Sequence, residues 1–99
     1  MSEFVCNMAA MNQAERLRYA ALSKQLFAKA ERRETDNGYV FTFDKEISLA
    51  AVTEWVSLEQ TCCPFFDFHI VVPSGDRAIS LGLTGQLGIK DLIRAELGQ

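Results

Sequence analysis

The sequence predicts an α+β domain: an antiparallel sheet of about four strands with helices packed on one face, in the order α-ββ-α-ββ-α. Three observations predict it. Two pairs of short, alternating segments are each joined by turn residues, which makes hairpins and hence an antiparallel sheet. Three segments with helical apolar spacing stand before, between and after these pairs. The alternating segments put their apolar residues on one side only, which asks for helices on that side and leaves the other wetter.

The elements can be justified in turn. Asn12 suits a helix cap, and "QAERLRYAALSKQLFAKA" follows without Gly or Pro. Tyr19, Leu22 and Leu26 form one stripe of that helix, and Leu17, Ala21 and Ala28 form a second. Two apolar faces imply two neighbours, such as the sheet and another helix or subunit. "AERRET" is polar and suits an edge strand. Asp36-Asn37-Gly38 is a turn signal, because Asn and Gly tolerate the positive φ of tight hairpins. "YVFTF" then aims Tyr39, Phe41 and Phe43 one way.

Ser48 can cap a second helix, "LAAVTEWVSLEQTCC", which Pro64 stops near Cys62 or Cys63. "FFDFHIVV" places Phe66, Phe68, Ile70 and Val72 on one face, and "PSGD" turns the chain. "AISLGL" points Ile79, Leu81 and Leu83 inward. Thr84 or Gly85 opens a last helix with the stripe Ile89, Leu92, Ile93 and Leu97. Thr42, Asp67, His69 and Ser80 fall on the wetter sheet face.

At 99 residues the chain is read as one domain, 1–99, with residues 1–11 as an N-terminal arm. Hydrophobic residues make up 48% and charged residues 23%, an ordinary balance for a globular domain. The formal net charge of -3 argues against nucleic acid as a partner, which needs a basic surface. Lys29, Arg32 and Arg33 are interleaved with Glu31 and Glu34 and read as a solvated mixed face. No apolar run approaches a membrane span, and the first residues lack the basic and apolar regions of a signal peptide. The expected home is the cytoplasm, where thiols stay reduced, and three cysteines argue against a disulfide framework. The sequence leaves room for a homodimer and does not name another partner.

The chemistry gathers in "EQTCCPFF", Glu59 to Phe66. At 100° per residue, Leu49, Val52, Val56, Glu59 and Cys63 share one stripe of the second helix. Glu59 therefore points with the core residues. A buried carboxylate must be paired, coordinated or protonated, because an unpaired one costs several kcal/mol or more. The plainer reading has Glu59 meeting an arginine, or sitting in water at the lip of the core. Cys63 lies one turn beyond Glu59. Cys62 projects toward the side of Trp55, where the pattern does not require burial. Cysteines also serve as small core hydrophobes, and Cys6 can be a buried anchor for the arm. The sharper reading folds the arm back so that Cys6 meets Cys62 and Cys63. Three thiolates, with Glu59 or water as a fourth ligand, or with Glu59 accepting a hydrogen bond from outside the ligand set, suit Zn²⁺ or a softer thiophilic metal ion. A Cys62–Cys63 disulfide would be strained.

Other signals point away from familiar chemistry. His69, the only histidine, falls opposite Phe68 and Ile70, so no Cys-His nucleophile pair is expected. "LTGQLG" opens a helix but lacks the Lys-Ser/Thr ending of a phosphate loop.

The segments "CNMAAMNQAER", "SLEQTCCPFFDF" and "LTGQLGIKDLIRAEL" together resemble a family of small bacterial proteins. Its members share an N-terminal Cys-Asn/Asp segment, a central E-x-x-C-C-P-F motif and a terminal L-T-G…G-[IV]-K segment. The resemblance spans almost the whole chain. It implies that Cys6, Glu59, Cys62 and Cys63 act as one constellation, in metal- or stress-responsive settings, and it carries no activity of its own. Three functions follow from the residues. The first is a small thiol-rich protein that binds a metal ion through clustered cysteines. The second is a thiol redox or trapping enzyme with Cys62 or Cys63 as reactive thiolate, Cys6 as resolving partner and Glu59 as proton acceptor. The third is a plain dimeric interaction module whose cysteines only pack.

Overall fold

The computed structural model describes residues 7–75 and 77–97. A 3-10 turn, Met8–Ala10, leads into helix α1, Gln13–Phe27. Strands β1, Glu31–Thr35, and β2, Gly38–Thr42, form the first hairpin. Helix α2, Leu49–Cys62, separates it from β3, Asp67–Val71, and β4, Ser80–Thr84. Helix α3, Ile89–Leu97, closes the order. The fold is the expected α+β arrangement with a four-stranded antiparallel sheet.

The two hairpins join through β4, giving the strand order β1-β2-β4-β3. Tyr39 pairs with Leu83 and Phe41 with Leu81, and these four are buried on the helix side. Phe68 and Ile70 pair with Leu83 and Leu81 from the other flank and are half-buried. The opposite sheet face carries exposed Thr42, Asp67, His69 and Val71, as the alternation requires. His69 meets Thr84 Oγ1 across that face at 3.1 Å. The strand β1 is an outer strand with every residue but Thr35 exposed, and its charges discourage pairing with another edge.

The hairpin turn works differently from expectation. Among the described residues no non-glycine has positive φ, and the positive-φ glycines are Gly75 and Gly88. Gly38 is required instead by close approach. A Cβ there would lie 1.9 Å from the backbone oxygen of Leu83, because β4 runs directly beside β2 at that point.

Helix α1 starts with a reciprocal cap: Glu15 N–H donates to Asn12 Oδ1 at 2.8 Å, and Asn12 N–H to Glu15 Oε1 at 2.9 Å. Its stripe of Tyr19, Leu22 and Leu26 faces the core. Among the described residues the second stripe is left uncovered: Leu17 is 66% exposed, and Ala21 and Ala28 are exposed as well. Trp55 of α2 is fully buried beneath α1, with Phe27 against it edge-on at 5.1 Å and its Nε1–H donating to Ser23 Oγ at 2.8 Å. Arg18 and Glu54 brace the two helices with a two-pronged ion pair, both contacts 2.8 Å.

Two element ends differ from expectation. Helix α3 starts at Ile89, not Thr84 or Gly85, because Thr84 is the last residue of β4 and Gln86–Gly88 turn the chain. Strand β3 ends at Val71, so Val72 stands exposed outside the sheet.

Candidate metal centre

Helix α2 ends where Pro64, with no N–H to give, cannot continue it. Cys63 is the cap residue, with φ -132° and ψ 73°, and its N–H donates to Glu59 O at 2.6 Å. Glu59 and Cys62 sit three residues apart on one face of the last turn. Cys63 has left helical geometry, so its side chain is not held a full helical step from that of Cys62. The sulfurs of Cys62 and Cys63 lie 3.6 Å apart. The Cys62 thiol donates to Glu59 Oε1 at 3.7 Å. One donor atom from each of Glu59, Cys62 and Cys63 lies within 4.8 Å of the others, and all three residues are buried. This group could hold a metal ion.

The expectation that Glu59 points inward is met: it is 1% exposed. Tyr19, reaching across from α1, donates its hydroxyl to Glu59 Oε1 at 2.7 Å. The Tyr19 ring stacks on Trp55 with centroids 6.0 Å apart, so the hydroxyl is aimed by a ring that is itself packed. Tyr19 is a site residue that sequence reasoning placed only in the core. The available signal was its place on the α1 stripe: of that stripe's members it alone carries a polar tip, which needs a partner when buried.

Cys62 is more deeply placed than the helical projection required, at 1% exposed. The buried face of α2 runs through Val52, Trp55, Glu59 and Cys62, rotated toward Trp55 from the projected stripe, and Leu49 is exposed. Trp55, the largest side chain on the helix, sets that rotation.

Cys6 lies outside the described residues. The chain next to it is fixed at the site: Asn7 N–H donates to Cys62 O at 2.8 Å. The described part of the N-terminal arm is docked, with the 3-10 turn against α2 and Met11 buried in the core. The expectation of wholly reduced thiols is not met, because Cys63 is disulfide-bonded. Cys62, with its sulfur 3.6 Å away, is not the other half of that bond and is a buried thiol. A Cys62–Cys63 bridge was disfavoured on strain, and none forms.

An open groove of about 400 Å³ lies elsewhere, between the Asp36–Asn37 turn and the start of α3. Its cations are engaged: Lys90 with Glu34 at 2.7 Å, and Arg94 with Tyr39 Oη at 2.8 Å and with Asp91. The Lys90 ammonium, bonded to the Glu34 carboxylate, holds that carboxyl below the usual glutamate range. Among the described residues no helix is long and apolar enough to cross a membrane. Comparisons with protein-family models, curated proteins and solved structures find no match.

Proposed function

We propose that this chain is a small metal-binding protein. In its reduced form Glu59, Cys62 and Cys63 hold Zn²⁺ or a similar thiophilic divalent ion, and Cys6 supplies a further thiolate. The spacing of the donor atoms carries the reading. With Zn–S of ~2.3 Å and Zn–O of ~2.0–2.2 Å, a tetrahedral ion needs its sulfurs ~3.8 Å apart and each sulfur ~3.5–3.7 Å from the oxygen. In the structure, with Cys63 in its disulfide, the edges are 3.6 Å for Cys62–Cys63 and 3.7 Å for Cys62–Glu59. A linear two-thiolate ion would spread the sulfurs to ~4.6 Å or more. The Tyr19 hydroxyl on Glu59 Oε1 is the kind of outer hydrogen bond that fixes a ligating carboxylate.

The thiol redox or trapping reading has one observation in its favour, the disulfide at Cys63. The setting weighs against it. Thiol enzymes that turn over external substrates present the thiol in exposed, electropositive surroundings. Here both cysteines are buried and the Cys62 thiol faces the Glu59 carboxylate.

The test is calorimetric titration of the fully reduced chain with Zn²⁺, and spectral titration with Co²⁺. One ion per chain is expected, with proton release, a raised melting temperature and thiolate–cobalt bands of tetrahedral type. Cys62→Ser should weaken Zn²⁺ binding at least tenfold. A reduced wild-type chain that takes up neither ion overturns the reading.

A further inference from the structure

Cys63 stands in two roles that one sulfur cannot fill together. It is a corner of the donor triangle with Glu59 and Cys62. It is also disulfide-bonded. The ligand for a zinc-type ion is the thiolate, and a disulfide sulfur has lost that charge. With the bond in place Cys62 keeps its thiol and lies 3.7 Å from Glu59 Oε1. Oxidation therefore removes the Cys63 corner of the triangle, together with the thiolate that Cys63 bonds to, and leaves Cys62 beside Glu59. That is the arrangement a reversible gate requires, since reducing a single bond returns the Cys63 thiolate to two donors that are still side by side.

We propose that the cluster is a redox-gated ion site, which holds a zinc-type ion when Cys63 is reduced and expels it when Cys63 enters its disulfide. The inference rests on the metal-binding reading and adds what controls it. The oxidant is a small hydroperoxide, because a bulky oxidant cannot reach sulfurs that are buried in the core. The Cys63 thiolate attacks one peroxide oxygen, the O–O bond breaks, and hydroxide (from hydrogen peroxide) leaves, giving a sulfenic acid. A second protein thiolate attacks that sulfur, the S–S bond forms, and a second hydroxide leaves. Two thiolates together lose two electrons, the peroxide gains them, and the hydroxides take up protons as water. The ion departs with a donor gone. Coupling is reciprocal: an ion that binds only the reduced form shifts the thiol–disulfide balance toward it by one plus the ratio of free ion to its dissociation constant.

The experiment begins with reduced full-length chain loaded with one Zn²⁺ and freed of excess. Hydrogen peroxide is added in small steps. Released zinc is read with a chromogenic chelator, and the bond is located by mass mapping. One zinc released per disulfide formed at Cys63, with uptake restored by reductant, is the expected result. Zinc retained after the Cys63 disulfide has formed overturns the gate and leaves the metal reading standing. Zinc lost without a bond at Cys63 also overturns it. A reduced chain that never loads zinc fails at the first step and removes both. A second measurement needs no variant and no peroxide: the midpoint potential of the Cys63 disulfide, with and without zinc. At free zinc one hundred times its dissociation constant the reduced form gains a hundredfold, which for two electrons is ~59 mV toward easier reduction. No shift overturns the proposal.

Discussion

Tyr19→Phe removes one atom and tests how the site is held. The hydroxyl spans from α1 to Glu59 Oε1 on α2 at 2.7 Å, where Glu59 is 1% exposed. The Phe ring should keep its place against Trp55, so the core loses no volume. What disappears is a hydrogen bond to a carboxylate in a site closed to water. Such bonds contribute ~1.5–3 kcal/mol, twice the usual value, because no water replaces the lost donor. The expected loss is about 2 kcal/mol. With a urea slope near 2 kcal/mol/M that lowers the midpoint by roughly 1 M, and the slope itself should not change. Urea melts of both proteins in one fixed redox state make the measurement. A double-mutant cycle with Glu59→Gln then isolates the pair, with an expected coupling of ~1–2 kcal/mol. A Tyr19→Phe protein within ~0.5 kcal/mol of wild type would refute the reasoning. It would mean that the carboxylate is satisfied equally well without α1.

Three further outcomes are expected. Gly38→Ala should cost about 3 kcal/mol, the upper part of the overpacking range, because the new Cβ would lie 1.9 Å from Leu83 O, a backbone atom in a central strand that cannot swing aside; a thermal melt reads it, and a near-neutral change would refute the close approach. Glu54 and Glu34 are each held below the usual glutamate range, first by hydrogen bonds from Arg18 and Lys90 and then by those cations' charges. A carboxylate depressed on folding gives stability that is complete above the unfolded value and lost as pH falls through the folded one. Glu54→Gln should therefore flatten the acid limb of a stability-versus-pH curve, modestly because the pair is exposed, and an unchanged limb would refute the pairing. Cys6→Ser should weaken Zn²⁺ binding by the reduced chain about as strongly as Cys63→Ser; equal affinity in wild type and Cys6→Ser would take Cys6 out of the donor set.

The fold was legible because its signals are local and agree with one another. Asn12 and Ser48 cap, Pro64 stops, and alternation in "YVFTF" sorts Tyr39, Phe41 and Phe43 inward. The strand order was not legible, because hairpins fix only sequential pairs, and β2 meets β4 across a helix. The one sequence trace of that pairing was Gly38, and it pointed to the wrong cause: the residue is needed for the approach of β4, not for a left-handed turn.

The site was half legible for a related reason. Glu59 stood out because a carboxylate on an apolar stripe contradicts its neighbours, and a contradiction of that kind is visible in one helix. Cys62 fits either side of the same helix. Its depth was decided by Trp55, whose bulk turns α2 to seat the indole under α1 and carries Cys62 inward beside Glu59. Tyr19 belongs to the site only through that packing, forty residues from its partner. The apolar contact of Tyr19 with Trp55 and the polar contact of Tyr19 with Glu59 are thus one device. The first fixes the angle between the helices, and the second uses that angle to hold the carboxylate where Cys62 and Cys63 converge. A variant that loosens Trp55 should for that reason disturb the donor geometry without touching a donor.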